Sequence, residues 1–139
     1  MGTITAWVNA CNSLTVTGVK RSEKFPPLSI NSADIPFKFL MLPSQDYQSL
    51  TTCSDTNRIH TVQIAIATEA VGQSDQPTKY DGILTMVDNL NSALETNKSS
   101  IGWEVTWSIE ARAGQSDTPP LFIAGVPYWG VLATVTGSN

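Results

Sequence analysis

The stretch RIHTVQIAIATEAV (residues 58–71) alternates in polarity along its length. Val62, Ile64 and Ile66 project to one side and Thr61, Gln63, Ala65 and Glu69 to the other, the period of two expected of a strand with one face on a core. A turn sequence, GQSD (72–75), closes it, with Pro77 just behind. The same four letters return at 114–117, followed by Pro119.

Working toward the C-terminus, Tyr80, Ile83, Val87, Leu90 and Leu94 recur every three or four residues, which predicts an amphipathic helix over 77–97. After Gly102 the period of two resumes. Trp103, Val105, Trp107, Ile109 and Ala111 are expected on the core side of a strand, with Glu104, Thr106, Ser108, Glu110 and Arg112 on the other. The second GQSD ends this strand. A loop, TPPLFIAGVP, leads to a last strand over 128–136, with Trp129, Val131, Ala133 and Val135 inward.

Toward the N-terminus, the segment 43–57 is polar and aperiodic and reads as a long connection. Before it lies an apolar strand over 35–42, which Pro36 confines to an edge or a strand start. Prolines 26, 27 and 36 keep the preceding stretch extended. Ile4, Val8 and Cys11 mark a short helix over 3–14 with Thr3 as its N-cap.

The order helix-strand-strand-helix-strand-strand predicts one α+β domain over residues 1–139. Two helices pack on one face of a mainly antiparallel four-stranded sheet. GQSD follows the second strand once and the third strand once, so it does not mark a duplicated unit. If those strands share a sheet, the helix crossing between them makes them parallel, and both turns lie on one rim.

Composition removes several classes of function. Lys and Arg number 8 against 12 Asp and Glu, a net charge of −4, and no basic run supplies affinity for a phosphate backbone. Cys11 and Cys53 lack the paired spacing of a thiol metal site. The first residues show neither a basic signal region nor a membrane-length apolar run, so synthesis in the cytoplasm is expected. Asn97-Lys98-Ser99 fits a glycosylation sequon and reads as a helix-end turn.

Catalytic readings are weak. A nucleophile elbow needs GxSxG, and Gln76 and Thr118 stand where the second glycine belongs. The single histidine, His60, begins its strand at the end away from the first GQSD, and no second histidine or carboxylate spacing supports a metal. Glu69 and Glu110 fall on the less apolar sheet face, where a solvated pair is expected rather than an acid/base dyad. Ser32 and Asp34 fit turn and cap bonding. Trp103, Trp107 and Trp129 occupy core phases rather than a sugar-binding platform. No enzyme activity, cofactor or metal is expected.

The segments PPLSINSADIPFKFLMLPS and RIHTVQIAIATEAVGQSDQP, one long helix, and AGVPYWGVLATVTG together resemble the tail terminator, or tail completion, proteins of long-tailed bacteriophages of the siphophage type. The likeness runs from about Pro26 to Gly137. It implies a virion protein at the head-proximal end of the tail: a ring, commonly of six subunits, that caps the tail tube, ends its growth and presents a surface to the head connector or stopper. Its partners would be copies of itself, the tube protein and the connector, with DNA passing through unbound. A tube subunit or adaptor shares much of this pattern, and a small ligand-binding module is the alternative from another class.

Three sets of residues follow as expected sites. Leu121, Phe122 and Ile123, with Asp46 and Tyr47 in the long connection, are expected at assembly contacts. Thr61, Gln63, Glu69, Glu104, Thr106, Ser108 and Glu110 are expected on a polar, lumen-facing sheet face. Gln73, Ser74, Gln115 and Ser116 are expected to hold the turns of the rim.

Overall fold

The computed structural model describes residues 3–49, 56–70, 76–112 and 119–138. Both GQSD turns, with Gln73, Ser74, Gln115 and Ser116, and also Cys53, lie outside the described residues.

The chain runs α1 (Ile4–Asn12), β1 (Arg21–Glu23), β2 (Phe37–Leu40), β3 (Ser44–Ser49), β4 (Thr56–Ala70), α2 (Gln76–Ile101), β5 (Trp103–Arg112), β6 (Leu121–Ile123) and β7 (Val126–Ser138). One sheet holds all seven strands in the order β1-β2-β4-β7-β5, with β3 also on β4 and β6 also on β7. The β1–β2 pair is parallel and the others are antiparallel. The expected four-stranded, mainly antiparallel sheet is therefore overturned in favour of a seven-stranded mixed one.

The three unexpected strands are short or polar: RSE in β1, SQDYQS in β3 and LFI in β6. Backbone pairing makes each a strand, and none is long or apolar enough to show a period of two. Of the 43–57 connection, residues 44–49 become β3 and 56–57 the beginning of β4, paired from Ser44↔Thr61 to Ser49↔Thr56. β2 and β3 follow one another along one side of β4, while β5 and β6 follow one another along one side of β7.

Because β4 and β5 are each antiparallel to β7, which lies between them, they run in the same direction. Their ends reach one rim, Ala70 opposite Tyr128 and Arg112 opposite Gly130.

Alternation divides the sheet into two apolar clusters. Val62, Ile64, Ile66, Trp129, Val131, Ala133 and Val135 pack with Trp7 and Cys11 of α1 and with Ile83, Met86, Leu90 and Leu94 of α2. A second cluster joins Phe37, Phe39, Ala65, Ala67, Tyr128 and Leu132 to Leu121 and Ile123 of β6. In α1, Trp7 and Cys11 form the buried stripe, while Val8 is only partly buried. Thr3 caps this helix, its hydroxyl accepting from Ala6 N at 3.2 Å.

The other end of α1 meets a buried lysine. Lys38 Nζ donates to the carbonyl oxygens of Cys11 (3.4 Å) and Asn12 (3.3 Å) and to Ser22 Oγ (3.3 Å). A cation is favourable at the negative end of a helix, and here it also ties α1 to β2. Burial lowers the Lys38 amine to about 8, with Cys11 opposing. Burial likewise pushes the Cys11 thiol up to about 12.

Candidate functional site: the open sheet face

Residues paired across antiparallel strands lie on the same face, so the register identifies what the sheet presents away from the helices. One row runs Ser44, Thr61, Thr136, Thr106 across β3, β4, β7 and β5. The next runs Gln63, Thr134, Ser108, and a third runs Ala65, Leu132, Glu110. The first two rows are hydroxyls and one amide, without a charge. Thr61 Oγ1 and Thr136 Oγ1 are 3.2 Å apart, Gln63 Nε2 reaches Thr134 Oγ1 at 3.5 Å, and Thr106 Oγ1 donates to the Thr136 carbonyl at 3.5 Å. Each of these bonds ties a side chain of one strand to the next strand.

The third row marks a boundary. Beyond it the same face is apolar and buried in the second cluster, with Ile30 and Ile35 packed against it. Among the described residues the first two rows have no such cover: Thr106 and Ser108 are exposed, like Glu110 at the boundary, and Thr61, Gln63, Thr134 and Thr136 are half-buried. Glu110 pairs with Arg112 two residues along the strand.

Five of the seven expected face residues, Thr61, Gln63, Thr106, Ser108 and Glu110, are brought together in this way. Two are displaced by irregularities. The pairing of β4 with β7 shifts between Ala67 and Glu69, so Glu69 lies opposite Trp129, a residue of the helix-side cluster. Glu69 accordingly lines a cavity with Lys20, Thr78, Gly82 and Met86, and it does not approach Glu110 as a carboxylate pair.

The β5–β7 pairing shifts between Trp103 and Thr106, where Glu104 has φ 51°. Glu104 is exposed within this bulge rather than in a row. The shift turns Trp103, paired with Ser138, onto the open face, where it is 78% exposed. The expectation that Trp103 belongs to the core is corrected: an inserted residue inverts the phase of whatever precedes it. Trp129 is buried, and Trp107 packs partly buried against the helix-side core, donating from Nε1 to Asn91 Oδ1 at 2.9 Å.

The expected assembly residues separate as well. Leu121 and Ile123 are buried, paired with Tyr128 and Val126, and only Phe122 stays outside, 64% exposed. The triplet is therefore a strand and not an unpartnered loop. Asp46 and Tyr47 lie on β3, opposite Ile59 and Arg58.

His60 is fully buried, its ring centroid 5.6 Å from that of Trp7 and its Nδ1 3.0 Å from Gln45 Nε2. Asp34 accepts from Arg21, and Asn31 caps the single turn at Ser32–Asp34. Among the described residues, no three His, Cys, Asp or Glu side chains converge as a metal site. No described helix is long and apolar enough to cross a membrane.

No family model matches the chain. No curated protein matches it either.

Of the row members absent from the expected face, Ser44 lay in the stretch expected to be a connection, whereas Thr134 and Thr136 belong to an expected strand. Their signal was present: they alternate with Ala133 and Val135, so an inward phase for those residues turns both threonines outward.

Proposed function

We propose that the protein is a structural component of a long-tailed phage virion. In this reading it forms a ring, six-fold as in the tail terminators it resembles, on the last ring of the tail tube. It stops tube growth and offers the head connector a joining surface. The observation that carries the reading is the open face, where neutral hydroxyl and amide rows are bordered by Glu110 and its partner Arg112. A channel for DNA needs a lining that does not hold phosphate, and these rows offer no cation whose binding would release counterions. The net charge of −4 repels phosphate in the same sense.

No catalytic or cofactor role enters this proposal. The protein is made in the host cytoplasm and resides at the head-proximal end of the tail. A tube subunit or adaptor would use the same face, and loss of the protein separates these roles. Without a terminator, tails grow to uncontrolled lengths and fail to join heads; without a tube subunit no tube forms. Normal, joined tails in its absence exclude both.

A second reading rests on Trp103, an exposed indole beside hydroxyl-rich rows, which is the layout of a platform for a small polar ligand such as a sugar. Quenching of tryptophan fluorescence by oligosaccharides, lost in Trp103→Ala, would favour that reading over the ring.

A further inference from the structure

We propose that the β3–β4 hairpin is an arm that adds to the free edge of β5 on the next copy of this chain, an inference that rests on the ring reading above. Two unpaired parts of one sheet carry it.

The first is the arm. β4 pairs with β7 only from His60 onward, so the stretch Thr56–Ile59 has β3 as its strand partner, and β3 in turn pairs with β4 alone, its outer side having no strand partner among the described residues. At the rise of a strand, this ribbon reaches roughly 13 Å past the last β4–β7 pair. A two-stranded ribbon is marginal in water, and SQDYQS supplies no apolar face to hold it down. Further main-chain pairing is what such a ribbon lacks.

The second is the edge. β5 pairs with β7 along one side only, and the other side of this ten-residue strand has no strand partner among the described residues. Edges of monomers are usually protected by charged side chains, prolines, bulges or shortness. From Thr106 to Arg112, β5 has no proline, lysine or bulge, and its two charged residues, Glu110 and Arg112, pair with each other. The opposite end of the sheet is protected by shortness, because β1 has three residues.

Direction and position agree. β3 and β7 both oppose β4, and β5 opposes β7, so β3 and β5 run in opposite senses. Copies arranged with the same orientation around an axis therefore meet antiparallel, the more stable pairing. Arm and edge lie on opposite sides of the β4–β7 centre, so the contact joins two different surfaces and repeats until it closes. Ser44 shares a face with Thr61 and Thr106, so the hydroxyl rows continue from copy to copy.

The test shortens the arm, replacing residues 47–58 by Asn-Gly so that Asp46 and Ile59, already paired, flank a two-residue turn. The full chain should sediment as a closed ring at high concentration, and the shortened chain as a monomer with an unchanged thermal midpoint. Rings of unaltered mass from the shortened chain overturn the arm and leave the ring reading standing. A full chain that is monomeric at every concentration overturns both. In case shortening disturbs folding, Gln48→Cys combined in turn with Thr106→Cys, Ser108→Cys and Glu110→Cys gives an independent readout. Oxidation should yield a ladder of covalent oligomers from at least one pair. Products that stop at dimers, or no product from any pair, overturn the contact.

Discussion

Trp103 and Trp107 stand four residues apart on one strand and lie on opposite faces of the sheet. Trp107 pairs with Val135 and packs on the helix side, whereas Trp103 pairs with Ser138 on the open side. The bulge at Glu104 separates their phases. Trp107→Ala should cost roughly 2–3 kcal/mol, below the full range for a wholly buried aromatic because its ring is only partly covered. Trp103→Ala should change stability by less than about 0.5 kcal/mol. Urea denaturation of the two variants tests the assignment, and equal losses would place both rings on one face.

The β6 strand predicts a similar division between neighbours. Leu121→Ala removes a buried side chain from the second cluster and should cost roughly 2–4 kcal/mol. Phe122→Ser, at an exposed position, should cost less than about 1 kcal/mol while weakening any contact made at this rim. Thermal unfolding of the monomers compares the two directly.

Gly130 of β7, opposite Ala67 of β4, leaves no room for a side chain. A methyl group there would strike the Ile66 carbonyl and the Leu121 side chain. The first obstacle is backbone in the sheet centre and cannot move aside without breaking the β4–β7 ladder. Gly130→Ala should destabilise by about 1–3 kcal/mol or more, despite adding apolar surface. A neutral or stabilising result in urea would show that β4 and β7 are less tightly apposed.

Lys38 and Cys11 should give stability opposite pH dependences. The buried amine titrates at about 8, below its unfolded value, so above pH 8 the unfolded chain holds more protons and stability rises with pH. The thiol, pushed up to about 12, stays protonated when the unfolded chain has ionised, so its contribution falls as pH rises above about 8.5. Between pH 8.5 and 10 the two offset one another in the native sequence. Lys38→Met should leave stability falling with pH, and Cys11→Ala should leave it rising, each by about 1 kcal/mol per pH unit. Denaturation midpoints measured across that range should diverge in sign; parallel curves would remove the coupling.

What the sequence alone determined were the elements whose own burial repeats: the alternation of Val62, Ile64 and Ile66, the stripe of Ile83, Leu90 and Leu94, and the inward phase of Val131, Ala133 and Val135. A segment that buries one face announces its period, because every second or every third to fourth residue must be apolar. The polar face was legible as the complement of that rule, which is why Thr61, Gln63, Thr106, Ser108 and Glu110 could be assigned together. β1, β3 and β6 carry no such record, since backbone hydrogen bonds to distant residues make them strands whatever their side chains. The bulges that move Glu69 and Trp103 to other faces are likewise decided between strands, where two chains must share one ladder with unequal numbers of residues. Lys38 illustrates the same limit: its burial depends on helix carbonyls 26 and 27 residues away, which only the packing of α1 against the sheet brings within reach.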